Sequence, residues 1–534
     1  MIRKSLFALL ISGICLGVFA QDPIAQKYAG QITSKLGKKH LKILASDKFE
    51  GRETGKPGAE KAAAYIAKEF KKLGLTAPVN GSYFQEVPLV QTAFEVSSFS
   101  ANGNTLTQGK DFLFTGGGAN KTITGTEVVF IGYGISAENY DDLKNIDLAG
   151  KIVLLINKGE PTANGVSSIS KTSTPSDWTS SRSKRLQNVL SKGPALVLAV
   201  NPDVSASLKQ YRPASGRLSL KKEAAPVPST RPASAAMVNI TPEVADLILK
   251  NSGKTYDGLK SAIDNSGAPQ TQILKSAISI NYGPVLKDVK SSNVLGYIEG
   301  SDLKEEVLVF SAHYDHIGLT TDGGADKVNN GADDDGSGTT GVLEIARAYA
   351  KAKKAGHGPR RSILFLLVTG EEKGLLGSEW YAEHPIYPMA NTVTDLNIDM
   401  IGRIGEEYKG AADSANYCYL IGSDKLSTDL HKISENANSV YTKLKIDYKY
   451  NDPKDPERIY YRSDHYNFAK NGVPIVFYFN GVHEDYHKAG DEVQKINFDL
   501  LTKRAQLVFY TGWDLANRDK RPVVDVTNNM PSTR

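Results

Sequence analysis

The stretch VLVFSAHYDHIG, residues 307–318, is an apolar run that is typical of a buried strand, and it ends in histidine and aspartate residues. Similar runs follow at SILFLLVTGEE (362–372), TDLNIDMIG (394–402) and VPIVFYFN (473–480). The segments between them include GTTGVLEIARAYAKA (338–352), whose apolar residues recur at helical spacing. Because strands and helices alternate, the sequence predicts an α/β fold whose sheet carries helices on both faces.

Acidic and histidine residues follow these predicted strands. In a sheet of this class the chemistry takes place at the carboxyl ends of the strands, so the residues should meet at one edge. They are His313, Asp315, Glu371, Glu372 and Asp399, together with His483 and His487 in the segment GVHEDYHKAGDE.

The segment NNGADDDGSG, residues 329–338, places Asp333, Asp334 and Asp335 side by side. One interpretation is a solvated turn that caps the next helix. The spacing also matches much of a calcium-binding loop, but that motif needs a helix that enters it, and the preceding residues TTDGGADKVNNGA are rich in glycine. The histidine and glutamate segments favour a third interpretation, in which a divalent cation offsets the repulsion among the carboxylates.

Histidines combined with carboxylates form a mixed nitrogen and oxygen donor set, which suits zinc or a similar metal. One bridging carboxylate can hold two metals about 3.5–4 Å apart. His313 would bind as a neutral imidazole, and Asp315 would accept the other ring N–H of His313. Glu371 and Glu372 are adjacent and cannot point the same way from an extended chain, so one can bind metal while the other acts as a general base in hydrolysis.

Five segments, in this order, resemble peptidase family M28, a family of co-catalytic zinc peptidases: SAHYDH, NNGADDDGSG, GEEKGLLGS, LNIDMIG and DYHKAGDE. The N-terminal segment LASDKFEGRETGKPGAEKAAAYIAKEFKKLGL (44–75) is similar to the opening of secreted bacterial members. FIGYGI with DLAGKIVLLI resembles the protease-associated domain that many members carry as an insert. The resemblance thus covers nearly the whole chain after the first 20 residues.

The resemblance implies two zinc ions per chain. Carried over by position, His313 and Asp399 would bind one ion, Glu372 and His487 would bind the other, and Asp334 would bridge both. The peptide bond that follows the bridging aspartate is commonly cis in this family, which predicts a cis bond after Asp334.

The resemblance also implies the catalytic roles. Asp315 would be the partner of His313, Glu371 the general base, and Tyr486 a group that stabilises the oxyanion. Tyr460 and Tyr461 are alternatives to Tyr486, because they lie near RSDH, another family-like segment.

The implied fold is a three-layer α/β/α zinc-peptidase sandwich with a mostly parallel mixed sheet. We predict a catalytic domain formed by residues 21–111 and 285–518, and a β-rich protease-associated insert at 112–284. Residues 519–534 are predicted to be a C-terminal tail.

Composition limits the partners and the location. The net charge of +5 is small for 534 residues, and the basic residues are scattered, which excludes a nucleic-acid partner.

A basic start and an apolar run from Leu6 to Phe19 predict a secretory signal peptide at residues 1–20. A retained anchor is the alternative, but the run is short for a membrane span. The mature protein should therefore be periplasmic or extracellular, without stable membrane insertion. Its remaining cysteine, Cys418, allows no internal disulfide.

Other candidates receive weaker interpretations. His316 and His465 lie in family-like segments, and we expect them to support the site rather than bind metal, because the ligand set is already complete. His483 competes with His487, and the spacing to the following GDE favours His487.

The resemblance favours an aminopeptidase that acts on peptides. A carboxypeptidase of the same architecture is an alternative, and it would need arginines such as Arg403 and Arg462 for the substrate carboxylate. A glutaminyl cyclase is disfavoured by the large insert. A receptor-like binding protein without catalysis is disfavoured because every predicted ligand and the base are acidic or histidine as required.

Overall fold

The computed structural model describes residues 21–116, 119–211, 216–221, 236–320 and 324–530. The chain divides into two compact units. Unit 1 comprises Met1–Leu89 with Val289–Arg534, and unit 2 comprises Val90–Asp288. The predicted signal peptide, residues 1–20, lies outside the described residues.

The strand Leu303–His313 is central to the sheet of unit 1. It pairs in parallel with Arg361–Val368 on one side and with Thr392–Ile398 on the other. Thr392–Ile398 pairs in parallel with Ile475–Phe479. These four strands therefore all place their carboxyl ends at one edge of the sheet, where the predicted site residues follow.

The outer strands of this sheet make it mixed. Tyr417–Ile421 runs antiparallel to Ile475–Phe479 and parallel to Lys445–Asp447. On the other side, the carboxyl end of Gln272–Ile298 runs antiparallel to Arg361–Val368. The predicted mostly parallel mixed sheet is confirmed.

Alternate residues of the central strand pack against helices on opposite faces, as the twofold period of a strand requires. Leu308 and Phe310 belong to one apolar core, and Val307 and Val309 belong to another. The first core also contains residues of the helices Pro23–Ala29, Ser34–Leu44, Pro57–Leu73, Gly336–Lys354, Thr428–Ala437 and Phe498–Asn517. The second contains residues of Leu376–Glu383 and His465–Ala469. The three-layer α/β/α architecture is thus confirmed.

Unit 2 contains a smaller sheet of its own. Three of its strands run parallel to one another. The middle one, Leu196–Val200, pairs with Ile152–Ile156 on one side and with Ala236–Ile240 on the other. Lys121–Phe130 pairs in parallel with Ile152–Ile156 and antiparallel with the start of Gln272–Ile298. Helices of this unit are Asp177–Ser180, Arg182–Leu190, Val204–Lys209, Pro242–Leu249 and Tyr256–Ser266.

The unit boundaries differ from the predicted domain boundaries. Unit 2 ends at Asp288, close to the predicted residue 284, but it begins at Val90 rather than at residue 112. The reason is the strand Phe84–Ala101, which continues without a turn through the boundary, so the sequence carries no signal there. The identity of this unit as a protease-associated domain stays a prediction.

The predicted tail packs against unit 1 as far as the structure describes it. Arg521 donates hydrogen bonds to the backbone carbonyls of Ala390 and Thr392, and Asp525 accepts two from Thr428. Across the described residues, every helix is too short or too polar to cross a membrane.

Candidate metal centre

The strand ends bring His313 and three acidic residues together. His313 is the last residue of its strand, and it is buried. Its Nε2 atom lies 3.3 Å from Asp334 Oδ1, 3.5 Å from Asp399 Oδ1 and 4.0 Å from Glu371 Oε2. One ligand atom each from His313, Asp334 and Asp399 lie within 4.8 Å of one another, which is the spacing of a possible metal site.

A second group lies on the other side of Asp334. His487 Nε2 is 3.1 Å from Asp334 Oδ2 and 3.1 Å from Glu372 Oε2. The two oxygens of the Asp334 carboxylate thus face two different imidazoles, His313 and His487. The structure places the other four predicted ligands around the Asp334 carboxylate, and that the five bind metal stays a prediction.

His316 competes with His487 in the second group. Its Nδ1 atom lies 2.8 Å from Glu372 Oε1 and 3.8 Å from Asp334 Oδ2, while its Nε2 atom is buried without a hydrogen-bond partner. His316, Asp334 and Glu372 satisfy the same 4.8 Å spacing as the first group. His316 was predicted to lie outside the ligand set, although its position three residues after His313 indicates that it shares the same edge.

Asp315 contacts His313 as predicted, but through its backbone oxygen and not through the predicted carboxylate. His313 Nδ1 lies 3.0 Å from the backbone oxygen of Asp315, whereas the Asp315 carboxylate is 3.9 Å away. The strand ends at His313, so the two residues do not occupy equivalent positions of an extended chain. The Asp315 carboxylate instead accepts hydrogen bonds from Thr54 Oγ1 at 2.7 Å and from the Glu371 backbone N–H at 3.2 Å. It therefore orients the segment that carries the predicted base.

The other two aspartates of the triplet, Asp333 and Asp335, accept hydrogen bonds from backbone N–H groups of neighbouring segments. Asp335 Oδ1 accepts from the backbone N–H of Gly338, which caps the helix Gly336–Lys354, and from that of Met400. Asp333 Oδ1 accepts from the Gly402 backbone N–H and from Ser337 Oγ. The Asp334–Asp335 peptide bond is cis, as predicted.

His483 is occupied by Asp333 rather than by the ligand group. His483 Nε2 lies 3.3 Å from Asp333 Oδ2, and both side chains are buried. Between the two histidines of the segment GVHEDYHKAGDE, it is His487 that reaches Asp334 and Glu372. His465, the other family-like histidine, places its Nε2 atom 2.7 Å from the Tyr460 backbone oxygen.

Asp491 is a buried residue of this centre that the sequence reasoning missed. Its carboxylate accepts hydrogen bonds from the backbone N–H groups of Asp333 and Asp334, and its own backbone oxygen accepts from Ala332. The sequence signal for it is its place in the GDE that follows His487.

A pocket opens beside the centre. Asp334, Glu371 and Asp399 line it together with Tyr486 and Arg462. Its other walls are apolar and are formed by Met400, Ile459, Phe477, Phe479 and Val482. Arg462 Nη2 donates a hydrogen bond to Tyr486 Oη at 3.1 Å. The Tyr460 hydroxyl accepts instead from Asn528, which leaves Tyr486 as the better placed of these two tyrosines.

The carboxylates dominate the electrostatics of the centre. Burial alone would lower the pKa of His313, but the carboxylates of Asp399 and Glu371 outweigh burial and raise that pKa well above its usual value. Burial also opposes the shift of His487, whose contacts with Asp334 and Glu372 raise its pKa to about 10. Both imidazoles therefore lie in a strongly negative potential.

The predicted base, Glu371, lies in the same negative surroundings. Burial raises the pKa of Glu371 well above its usual value; the charge of His313 opposes this shift, and the charges of Glu372 and Asp399 add to it. Burial likewise raises the pKa of Asp335. A carboxylate whose charged form is disfavoured in this way binds a proton readily, which is what a general base requires.

The donor set fits zinc. Each group combines imidazole nitrogen with carboxylate oxygen, which are ligands that zinc accepts. The negative potential around the rings is the property that a divalent cation would neutralise. The fold and the site thus define an α/β protein with a histidine and carboxylate centre, buried apart from the exposed His487, at the carboxyl edge of a mostly parallel sheet.

Comparison with known families agrees with this class. Residues 293–512 match the model of Peptidase family M28. This range contains every histidine and carboxylate of the two groups, so the part of the chain that forms the centre is similar to peptidase family M28.

Among curated relatives, a probable zinc metalloprotease from Pyrenophora teres f. teres (strain 0-1) is 28% identical over 268 residues, which are 46% of this chain and 53% of that protein. A probable glutamate carboxypeptidase from Arabidopsis thaliana is 26% identical over 239 residues, 44% of this chain and 30% of that protein. The chain thus spans about half the length of the zinc metalloprotease that it matches, and a smaller share of the carboxypeptidase.

Among solved structures, an aminopeptidase from Aneurinibacillus sp. strain AM-1 is 18% identical, with 95% of this chain and 100% of that chain covered and a TM-score of 0.49. A zinc aminopeptidase from Bacillus subtilis is 19% identical, with 94% and 99% covered and a TM-score of 0.46.

Proposed function

We propose that this chain is an exported di-zinc aminopeptidase that removes N-terminal residues from peptides. The observation that carries the proposal is the Asp334 carboxylate, whose two oxygens lie 3.3 and 3.1 Å from the imidazoles of His313 and His487. A carboxylate in this position can bridge two metal ions.

His313, Asp334 and Asp399 would hold one zinc ion, and Asp334, Glu372 and His487 would hold the second. His316 is the alternative nitrogen ligand for the second ion, on the distances given above. When bound, zinc lowers the pKa of a water molecule and polarises a carbonyl group.

Glu371 would act as the general base and then as the general acid. Its carboxylate lines the pocket beside Asp334 and Asp399, and its backbone N–H is held by Asp315. It would take a proton from the attacking water as the new C–O bond forms, and return it to the nitrogen of the leaving amine as the peptide C–N bond then breaks.

Tyr486 would donate a hydrogen bond to the oxyanion. Its oxygen already accepts a hydrogen bond from Arg462, so its own O–H proton is available to a group in the pocket. We expect Tyr486→Phe to lower kcat by roughly 10²-fold while zinc binding stays intact. Unchanged kcat would assign the role to another donor.

The arginines support an aminopeptidase over a carboxypeptidase. Arg403 is 7% exposed, and its Nη2 atom lies 2.9 Å from Asp485 Oδ2, so it is not available to a substrate carboxylate. Arg462 lines the pocket, which keeps the carboxypeptidase as the second candidate, but it stands beside the carboxylates of Glu371 and Asp399.

The test is a substrate panel with and without a chelator. Aminoacyl chromogenic substrates should be cleaved, N-acetylated peptides should not, and zinc should restore activity after chelation. A preference for N-acetylated peptides with a free C-terminus would favour the carboxypeptidase. Activity that survives complete removal of metal would contradict the zinc mechanism, and the absence of any turnover by the zinc-loaded protein would favour a receptor-like binding protein.

Export is the remaining part of the proposal. Residues 1–20 would direct the chain to the periplasm or the medium, where peptides are its substrates and nucleic acids are not. Fractionation with N-terminal sequencing should find a mature chain that begins at Gln21 outside the cytoplasm. A cytoplasmic protein that retains residues 1–20 would contradict export.

A further inference from the structure

Arg52 is a buried arginine of the N-terminal segment, outside the family match at residues 293–512. It is 1% exposed, and it ends the short 3-10 helical turn Asp47–Arg52. A buried arginine is costly unless all its donors are satisfied, so its partners show what the fold gains from it.

All five N–H donors of Arg52 find backbone carbonyls. Nε donates to Tyr314 O at 2.8 Å, and one Nη1 donor reaches Leu44 O at 2.9 Å. The other three donors reach the loop of the aspartate triplet, with acceptor distances of 2.7, 2.9 and 3.5 Å to the carbonyls of Asn330, Gly331 and Asp334. The rigid fork of a guanidinium can fix several carbonyls at once, which a lysine cannot do.

Asp491 holds the same loop from its amide side. Its carboxylate accepts the backbone N–H groups of Asp333 and Asp334 at 3.0–3.1 Å. The Arg52 guanidinium therefore binds carbonyl groups of the backbone that carries Asp334, and the Asp491 carboxylate binds its amide groups. This double contact explains how three adjacent aspartates keep one conformation in which a single carboxylate faces both imidazoles.

The residues next to Arg52 reach two further segments of the centre. Glu53 Oε1 lies 3.0 Å from the Nζ atom of Lys373, which follows Glu372. Thr54 Oγ1 donates to Asp315 at 2.7 Å. The Arg52 backbone oxygen accepts from the His316 N–H at 3.2 Å. Three consecutive residues of the N-terminal segment thus contact three segments that carry predicted ligands or the base.

We propose that Arg52, with Asp491 on the opposite side, is a positioning residue that holds the backbone of Asn330–Asp334 so that the Asp334 carboxylate faces both ligand groups. The proposal rests on the proposed zinc function. It assigns to the N-terminal segment a direct part in forming the metal centre.

The experiment compares Arg52→Lys and Arg52→Met with Arg361→Lys in the full chain. Arg361 is a matched control because it is also fully buried and its guanidinium also donates to backbone carbonyls, those of Leu515, Arg518 and Asp519. It begins the strand Arg361–Val368, at the end opposite to the site. The readouts are zinc affinity by chelator competition, the absorption spectrum with Co²⁺ in place of zinc, the Tm, and kcat and KM.

We expect both Arg52 variants to bind zinc at least about 10-fold more weakly than the wild type and to show an altered Co²⁺ spectrum, because residues that orient ligands commonly contribute 10–100-fold to affinity. The loss of activity should appear in kcat more than in KM. Arg361→Lys should lower the Tm while zinc affinity and the Co²⁺ spectrum stay those of the wild type.

Arg52 variants with wild-type zinc affinity and Co²⁺ spectrum, at any Tm, would overturn the positioning role. If both variants fail to fold, Asp491→Asn decides, because it should weaken zinc binding for the same reason and wild-type affinity would overturn the proposal. A wild-type chain that binds no zinc would instead overturn the proposed function itself, so the two failures are distinguishable.

Discussion

Asp142 in unit 2 and Asp334 in unit 1 are 1% and 3% exposed, but their carboxylates have different partners. Asp142 accepts a hydrogen bond from the Tyr140 hydroxyl and one from each of the backbone N–H groups of Tyr133 and Ile135. Asp334 faces the Nε2 atoms of His313 and His487. A hydroxyl or amide donates a proton at any pH of interest, whereas an imidazole Nε2 donates only when it is protonated.

The contrast extends to neighbouring acids. In the described part of unit 2, every buried carboxylate oxygen has a hydrogen-bond partner. The described part of unit 1 buries carboxylate oxygens without a hydrogen-bond partner, and they include one oxygen each of Asp335, Asp395 and Asp464. The acids of unit 2 are satisfied by the protein alone. Asp334 itself faces two imidazoles, and a bound cation can balance its charge.

The largest expected effect separates charge from catalysis within unit 1. Glu371→Gln should lower kcat by about 10²–10⁴-fold, because a glutamine cannot accept the proton of the attacking water. Zinc content should not change, since Glu371 lies outside the proposed ligand set. Elemental analysis and steady-state kinetics on the same sample provide the measurement. Near-normal turnover would mean that another group is the base.

The second effect tests whether unit 1 alone depends on a cation. Removal of zinc should accelerate hydrogen exchange in peptides that cover residues 329–338 and 481–492, because bound zinc at a thousand times its Kd stabilises by about 4 kcal/mol. Peptides that cover Ile152–Ile156 and Leu196–Val200 in unit 2 should exchange as before. Mass spectrometry of the full chain, with and without chelator, gives both values. Equal acceleration in both units would remove the distinction between them.

The third and smallest effect tests unit 2 through pH. Burial raises the pKa of Asp142 to about 7, against the opposing hydrogen bonds from Tyr140, Ile135 and Tyr133. The unfolded value is about 3.9, so between these two pH values the folded chain binds more protons than the unfolded chain. The stabilising contribution of this group is therefore fully present below about pH 3.9 and is lost as the pH rises through about 7.

Asp142→Asn removes this titration. The measured quantity is the Tm of the zinc-loaded wild type minus the Tm of zinc-loaded Asp142→Asn. We expect this difference to favour the wild type most near pH 5 and to decrease as the pH rises to 8. Calorimetry at several pH values measures the difference, in which the other titrating groups cancel. A difference that is constant, or that grows in favour of the wild type with pH, would contradict the shifted pKa of Asp142.

Much of unit 1 could be predicted from sequence because its strands are continuous apolar runs and its site residues follow them directly. The runs at 307–313 and 362–368 have the length and composition of buried parallel strands, and each ends where its acids or histidine begin. Sequence order alone then places Asp399 at the same edge. The helix Pro57–Leu73 also follows local sequence rules, since a proline begins it and Gly74, with a φ of 73°, ends it.

What the sequence did not predict depends on contacts over long distances in the chain. Arg52 and Asp491 lie far in sequence from the loop that they hold, and neither belongs to a periodic pattern. His313 Nδ1 contacts the backbone oxygen of Asp315 rather than its carboxylate because the strand ends at His313. Sequence periodicity does not determine the exact residue at which a strand ends. The start of unit 2 was missed for a similar reason, because the strand Phe84–Ala101 carries no turn at the boundary.

The central claim is that the Asp334 carboxylate bridges two metal ions. Anomalous diffraction at the zinc edge from crystals of the zinc-loaded chain tests this claim most directly. We predict two peaks about 3.5–4 Å apart, one beside each oxygen of Asp334, with His313 and Asp399 at the first and Glu372 with His487 or His316 at the second. A single peak, or two peaks of which neither touches Asp334, would contradict the account.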